Sequence, residues 1–177
     1  MKRITVIYGS PRENGNSDKL GKAFANGAKA AGHDVSEFYL RNLKINDCIG
    51  CEQCYNIIGE CSQKDDMTEI YNRLYHTDCL VFVSPIYYQS FPGIMKNFID
   101  RLYISENKPF PIVDAVLLAT YASSGVAMAK MTKLYFKSLT TYHKWKIASI
   151  FCVSDLDEKD DITTKTLNEA YNKGIII

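Results

Sequence analysis

The sequence predicts an α/β protein built on a doubly wound parallel sheet. Three observations carry this expectation: short continuous apolar runs rich in β-branched residues, amphipathic segments of helical period alternating with them, and polar turns at the junctions. A parallel pair needs a crossover and crossovers are right-handed, so five such alternations imply helices on both faces. With 177 residues, 46% of them hydrophobic, the chain 1–177 is expected to form a single domain.

Taken in order, residues 4–8 (ITVIY) read as a first strand covered on both faces. From Ser17 onward, Leu20, Ala23, Phe24, Ala28 and Ala31 recur at helical spacing until Gly32 offers a stop. Residues 35–40 (VSEFYL) alternate, as a strand near a sheet edge does. Residues 65–75 set Met67, Ile70, Tyr71 and Leu74 on one helical face behind an acidic first turn. Residues 79–84 (CLVFVS) form the next buried strand. Residues 93–103 carry the stripe Ile94, Met95, Phe98, Ile99 and Leu102, with Pro92 at a favoured helix start. A strand at 113–120, a helix from about 126 to 141, a strand at 147–153 and a helix from near 157 to 171 complete the alternation.

Charge excludes several classes of partner. The 21 basic and 20 acidic residues leave a formal net charge of +1, with no excess to draw in nucleic acid or an anionic membrane. The opening MKRITVIYGSPRENG has too short an apolar run before Gly9 and Pro11 for a signal peptide, and no spanning segment is evident, so a cytoplasmic location is expected.

In open α/β sheets a ligand sits beyond the carboxyl ends of the strands, where strand order reverses. The turn after the first strand, Gly9-Ser10-Pro11-Arg12-Glu13-Asn14-Gly15-Asn16-Ser17, offers hydroxyls, an amide, a guanidinium and free helix N–H groups, which are phosphate-binding parts. It is neither G-x-G-x-x-G nor G-x-x-x-x-G-K-[ST], so a Rossmann dinucleotide site and a P-loop lose their support. The turn after the third strand, Ser84-Pro85-Ile86-Tyr87-Tyr88-Gln89-Ser90-Phe91-Pro92, puts apolar and aromatic groups where a loop is ordinarily polar, and a flat ring would cover them. The turn Thr120-Tyr121-Ala122-Ser123-Ser124-Gly125 adds small, hydroxyl-bearing residues that admit a planar ligand close to the backbone.

GSPRENGNS and SPIYYQSFPGIMKNFIDRLY together resemble the NADPH-dependent FMN reductases and related flavodoxin-like quinone reductases, over roughly residues 1–125. The resemblance implies a flavodoxin-like, five-stranded parallel sheet in the order 2-1-3-4-5. It also implies FMN with its phosphate at Ser10, Arg12, Asn16 and Ser17 and its ring edge against Pro85, Ile86, Tyr87 and Tyr88, with Thr120, Tyr121, Ser123 and Ser124 completing the site. A homodimer or higher homo-oligomer is implied as well. Electron-transfer flavodoxins match less well, because their phosphate loop is rich in threonine and their surface strongly acidic.

Four of the six cysteines lie between 48 and 61, as Cys48-x2-Cys51-x2-Cys54-x6-Cys61. Without a secretory signal a disulfide framework is disfavoured. The first three spacings match a bacterial ferredoxin run, but no fourth cysteine with a following proline stands three residues on. Zinc is a second reading, although its usual sites pair two C-x2-C knuckles across a longer loop, and free structural thiols are the third. The arrangement also resembles the iron-sulfur flavoproteins, which implies a [4Fe-4S] cluster near the flavin. Cys79 and Cys152 fall in expected strands, where inert buried thiols are the default.

His33, His76 and His143 stand near element ends without a partner at recognisable spacing, so surface or capping roles are expected, and no nucleophile-base arrangement is readable. This suits a site in which a flavin carries the chemistry. The expected reaction passes electrons from NAD(P)H, as co-substrate, to a quinone, a flavin or another small-molecule or redox-protein acceptor. The alternatives are an iron-sulfur electron carrier with no small-molecule substrate of its own and a zinc-bearing interaction domain. Nicotinamide preference and the acceptor are not legible.

Overall fold

The computed structural model describes residues 1–57, 60–125 and 127–177. Strands β1 (Arg3–Tyr8), β2 (Asp34–Tyr39), β3 (Cys79–Pro85), β4 (Asp114–Thr120) and β5 (Lys146–Val153) form one sheet in the order β2-β1-β3-β4-β5. Every pair is parallel, with Ile4 beside Val35 on one side and beside Cys79 on the other. The chain winds outward in both directions from β1 and β3, so strand order reverses between them.

Strand alternation decides which side chains meet which helices. Ile4, Val6 and Tyr8 of β1 point to α1 (Asn16–Ala30) and α6 (Thr164–Ile175), and this face buries Leu20, Phe24 and Ala28. Ile7, Leu80, Phe82 and Leu117 point the other way, against α3 (Met67–Leu74), α4 (Gly93–Arg101) and α5 (Lys130–Tyr142). There Phe82 makes edge contacts with Phe98 at 6.1 Å and Phe136 at 5.6 Å between centroids. The helices α1 and α6 touch backbone to backbone. A Cβ at Gly27 would lie 2.0 Å from the Tyr171 carbonyl oxygen, and one at Gly174 2.0 Å from that of Phe24.

Several boundaries differ from the periodicity, each for a visible reason. The last helix starts at Thr164 and not near 157, because Asp155 and Asp160 take left-handed φ of 60° and 84° and Thr163 caps the helix, its Oγ1 accepting the Thr166 N–H at 3.2 Å. The helix expected from 65 starts at Met67, since the Asp65 carboxylate accepts the Met67 N–H at 3.1 Å and cannot itself lie in the first turn. The helix after β3 tightens beyond Arg101 into a 3-10 segment, Leu102–Glu106. Leu40, expected to end the second strand, instead opens a 3-10 turn, Leu40–Asn42. The start expected near 126 for the helix after β4 lies outside the described residues, and α5 is regular from Lys130. A short helix, α2 (Gln53–Asn56), lies within the cysteine stretch behind Glu52, whose φ is 57°. Among the described residues no helix is long and apolar enough to cross a membrane.

Candidate functional site: a cleft at the strand ends

A cleft of about 350 Å³ opens at the carboxyl ends of β1, β3 and β4, beside the reversal of strand order. It is lined by Ser10, Arg12, Asn16 and Ser17 from the first turn, Pro85, Ile86 and Tyr87 from the second, and Thr120 and Tyr121 from the third. Three residues expected at the site, Tyr88, Ser123 and Ser124, are exposed and are not among those lining it. Leu156, Asp157, Glu158 and Lys159, in the loop between β5 and α6, were not anticipated and form its far wall.

The first turn is built to keep donors free. Gly15 takes the N-cap position of α1, and no side chain caps the helix. Its first-turn N–H groups therefore keep their attraction for an anion. Within the turn, the Ser10 hydroxyl accepts the Arg12 N–H at 3.1 Å, and the Gly9 N–H donates to the Val83 carbonyl at 2.8 Å. Gly9 is required by close packing, since a Cβ there would come 2.6 Å from Met95 Cε. The buried Ser17 hydroxyl shares a 2.6 Å hydrogen bond with Thr120, joining the first turn to the third.

Asn16 has a second task. Its amide donates to the Glu158 carbonyl at 2.8 Å and its oxygen accepts the N–H of Asp160 at 3.2 Å and of Ile162 at 3.4 Å. The side chain thus ties the β5–α6 loop to the start of α1, with a Lys19–Asp160 ion pair beside it.

The second turn is a tight hairpin. Tyr87 and Ser90 exchange backbone hydrogen bonds at 2.9 and 3.1 Å, while Tyr88 and Gln89 between them take left-handed φ of 48° and 70°. Asn-Gly ordinarily fills two such positions, so a tyrosine and a glutamine there carry strain. The hairpin is braced by the Thr132 hydroxyl donating to the Gln89 carbonyl at 3.1 Å, and Tyr88 projects fully into solvent. Apolar Ile86, Tyr87 and Tyr121 on one wall and hydroxyls, a guanidinium and an uncapped helix end on the other fit a flavin that carries a phosphate.

The cysteine stretch forms a separate feature, a loop closed at its base. The Asp65 carboxylate accepts the Asn46 N–H at 2.9 Å, and Arg101 donates to the Asn46 carbonyl at 2.9 Å, so the residues flanking the loop are held together. Cys48 and Cys51 are exposed, while Cys54 and Cys61 are half-buried. The Ser62 hydroxyl, 3.1 Å from Cys51 Sγ, brings that thiol below its ordinary range, and burial followed by the neighbouring Cys61, Cys48 and Cys51 raises Cys54. Among the described residues no group of three or more His, Cys, Asp or Glu side chains is arranged to hold a metal ion, so in this conformation the four sulfurs are not gathered into a ligand set. The buried Cys79 thiol is pushed up to about 12 by its surroundings, as an inert strand cysteine is.

The family profile described as NADPH-dependent FMN reductase matches residues 2–155. An iron-sulfur flavoprotein of Archaeoglobus fulgidus is 36% identical over 109 residues, 62% of this chain and 49% of that one. Another iron-sulfur flavoprotein, of Methanosarcina thermophila, is 30% identical over 114 residues, 64% of this chain and 59% of its own length. The chain spans about half the length of the curated relatives it matches. Among solved structures, an NAD(P)H:quinone oxidoreductase from Methanothermobacter marburgensis superposes with a TM-score of 0.79 at 17% identity, covering 98% of this chain and 94% of that one. This last likeness concerns the fold alone. The profile match, extending over most of the chain and through all three cleft-forming turns, shows that the chain belongs to the NADPH-dependent FMN reductase family.

Proposed function

We propose that the chain is an FMN-dependent oxidoreductase that takes electrons from NAD(P)H and delivers them to a quinone, a flavin or another acceptor. The observation that supports this reading most is the meeting, in one cleft, of an uncapped helix start with Ser10 and Arg12 and an apolar wall of Ile86, Tyr87 and Tyr121. Bound there, FMN would supply the hydride and electron chemistry. The first-turn N–H groups, Ser10 and Arg12 would hold the phosphate. Pro85, Ile86 and Tyr87 would shield one ring edge from water and fix its orientation. The remaining opening leaves room for nicotinamide and acceptor to approach in turn. A homodimer and a cytoplasmic location belong to the same reading. The exposed Tyr103 and Tyr142 lining the α4–α5 groove and the six free cysteines support them.

The test is a titration of the protein with FMN, followed by NADPH oxidation with a soluble quinone. Saturable one-to-one binding and quinone-dependent turnover are expected. Binding without turnover would favour an electron carrier instead. That second reading is supported by the spacing Cys48-x2-Cys51-x2-Cys54-x6-Cys61 and by relatives named iron-sulfur flavoproteins. It predicts iron and acid-labile sulfide in wild-type protein after anaerobic reconstitution, and their loss in Cys54→Ser. Absence of both elements from the wild type leaves the cysteines structural.

A further inference from the structure

Two charged side chains sit behind the phosphate turn and are not among the described residues that line the cleft. Asp18, in the first turn of α1, has a side chain with no exposure. Arg41, in the 3-10 turn after β2, reaches it with two nitrogens, Nη2 to Oδ2 at 3.0 Å and Nη1 to Oδ1 at 3.2 Å. Nη1 also lies 3.4 Å from the Ser10 carbonyl oxygen, and Asp18 Oδ2 accepts the Asn14 N–H at 2.9 Å. The pair therefore grips the turn at both ends, and Asn14 is held in a left-handed conformation with φ of 55°.

The grip is itself supported from behind. The Arg41 guanidinium lies 4.8 Å over the Tyr39 ring, which stacks on Tyr8 at 4.2 Å and 10°. The Tyr8 hydroxyl donates to Glu37 at 2.6 Å. A planar bidentate cation locked on an aromatic face is an arrangement that lysine cannot reproduce in full.

A buried carboxylate in the first turn of α1 lies behind the turn at which the FMN reading seats a phosphate, and two anions near one helix start repel unless one is neutralised. We propose that Arg41, through its bidentate pairing with Asp18 and its contact with the Ser10 carbonyl, is the positioning residue that makes this turn accept a phosphorylated flavin in preference to an unphosphorylated one. The inference rests on the FMN reading of the cleft. Its physical content is that Arg41 cancels the Asp18 charge and preorganises the turn without touching the ligand.

The test compares the Kd of FMN with that of riboflavin, read from quenching of flavin fluorescence, in wild type, Arg41→Gln, Arg41→Lys and the double variant Asp18→Asn/Arg41→Gln. Loss of a charge-assisted contact predicts FMN binding weakened roughly tenfold or more in Arg41→Gln, with riboflavin within about twofold of wild type. Arg41→Lys should lose less, and the double variant should regain most of the FMN affinity because no uncompensated negative charge then lies behind the phosphate turn. If Arg41→Gln does not fold, the FMN-to-riboflavin ratio of Arg41→Lys carries the same comparison with a smaller change. Equal weakening of both flavins, an unchanged FMN Kd, or no recovery in the double variant overturns the role of the pair. A wild type that binds riboflavin as tightly as FMN overturns the phosphate reading itself.

Discussion

Arg101 and Asp65 meet at 2.8 Å with side chains only 1% and 2% exposed, joining the end of α4 to the residue that closes the cysteine loop. Arg101 makes four hydrogen bonds: it donates to both Asp65 oxygens, to the Asn46 carbonyl and to the Tyr71 hydroxyl, which in turn donates to the Arg101 carbonyl. Breaking such a pair from one side leaves a buried charge uncompensated, which costs about 3–5 kcal/mol. Arg101→Ala is expected to lower unfolding stability by that order in urea titrations and to make the 47–64 segment the first site of limited proteolysis. A variant with wild-type stability would show that the pair is dispensable.

Acid should unfold the protein through identifiable groups. Burial pushes the Asp65 carboxyl up, but Arg101 and the backbone N–H donors outweigh it and hold it below its ordinary value. For Glu37, burial is likewise outweighed by hydrogen bonds from Lys29 and Tyr8. The hydrogen bond from Arg3 brings Asp78 to about 2. Depressed folded-state values mean that the stability these groups add is complete above the ordinary carboxylate range near pH 4, and is lost as pH falls through the folded values. The carboxylate contribution to the urea midpoint should therefore be level above about pH 5 and fall steeply between about pH 4 and 2. It follows a shallower loss that begins near the ordinary histidine range of about pH 6.5, because burial holds His33 and His143 below it. Asp78→Asn should show a shallower fall, and an unchanged slope would remove Asp78 from this account.

Arg12 is the exposed cation of the phosphate turn, so Arg12→Ala should weaken FMN binding by about 1.5–3 kcal/mol if it contributes a charge-assisted hydrogen bond. Tyr87→Ala should lower flavin affinity or quinone-dependent turnover through lost ring contact. Wild-type affinity in the first variant would move the phosphate elsewhere, and wild-type behaviour in the second would make the hairpin a packing element only.

Relief of the hairpin strain should be measurable. Gln89 holds φ of 70°, a region glycine enters freely and other residues enter at a cost of about 1–2 kcal/mol, partly offset by the greater freedom of glycine in the unfolded chain. Gln89→Gly is expected to raise the thermal midpoint modestly while the Thr132 contact to the residue 89 carbonyl persists. A lowered midpoint would mean that the glutamine side chain is doing something the backbone does not show.

Gly27 tests the opposite case. Alanine favours a helix over glycine by about 1 kcal/mol, yet here its Cβ would collide with the Tyr171 backbone of α6. Gly27→Ala should therefore lose about 1–3 kcal/mol by forcing the two helices apart, read from chemical denaturation. A stabilised variant would show that the α1–α6 contact yields easily.

The residues of each strand and most of each helix except α2 were legible because hydrophobic period is a local property: runs such as ITVIY and CLVFVS carry their own burial, and GSPRENGNS leads into its helix within one turn. The parallel order and its reversal between β1 and β3 followed from the strand–helix alternation and the family resemblance together. Tertiary structure alone decided the rest. It set the β5–α6 loop against the cleft through Asn16, whose partners lie more than 140 residues away. It placed Arg41 on Asp18, 23 residues apart, and Arg101 on Asp65, 36 apart. It also bent Tyr88 and Gln89 into left-handed turn positions with no glycine to announce them. Such contacts depend on which ends of which elements the sheet brings together, and a side chain aimed across space leaves no period in the sequence from which its partner can be read.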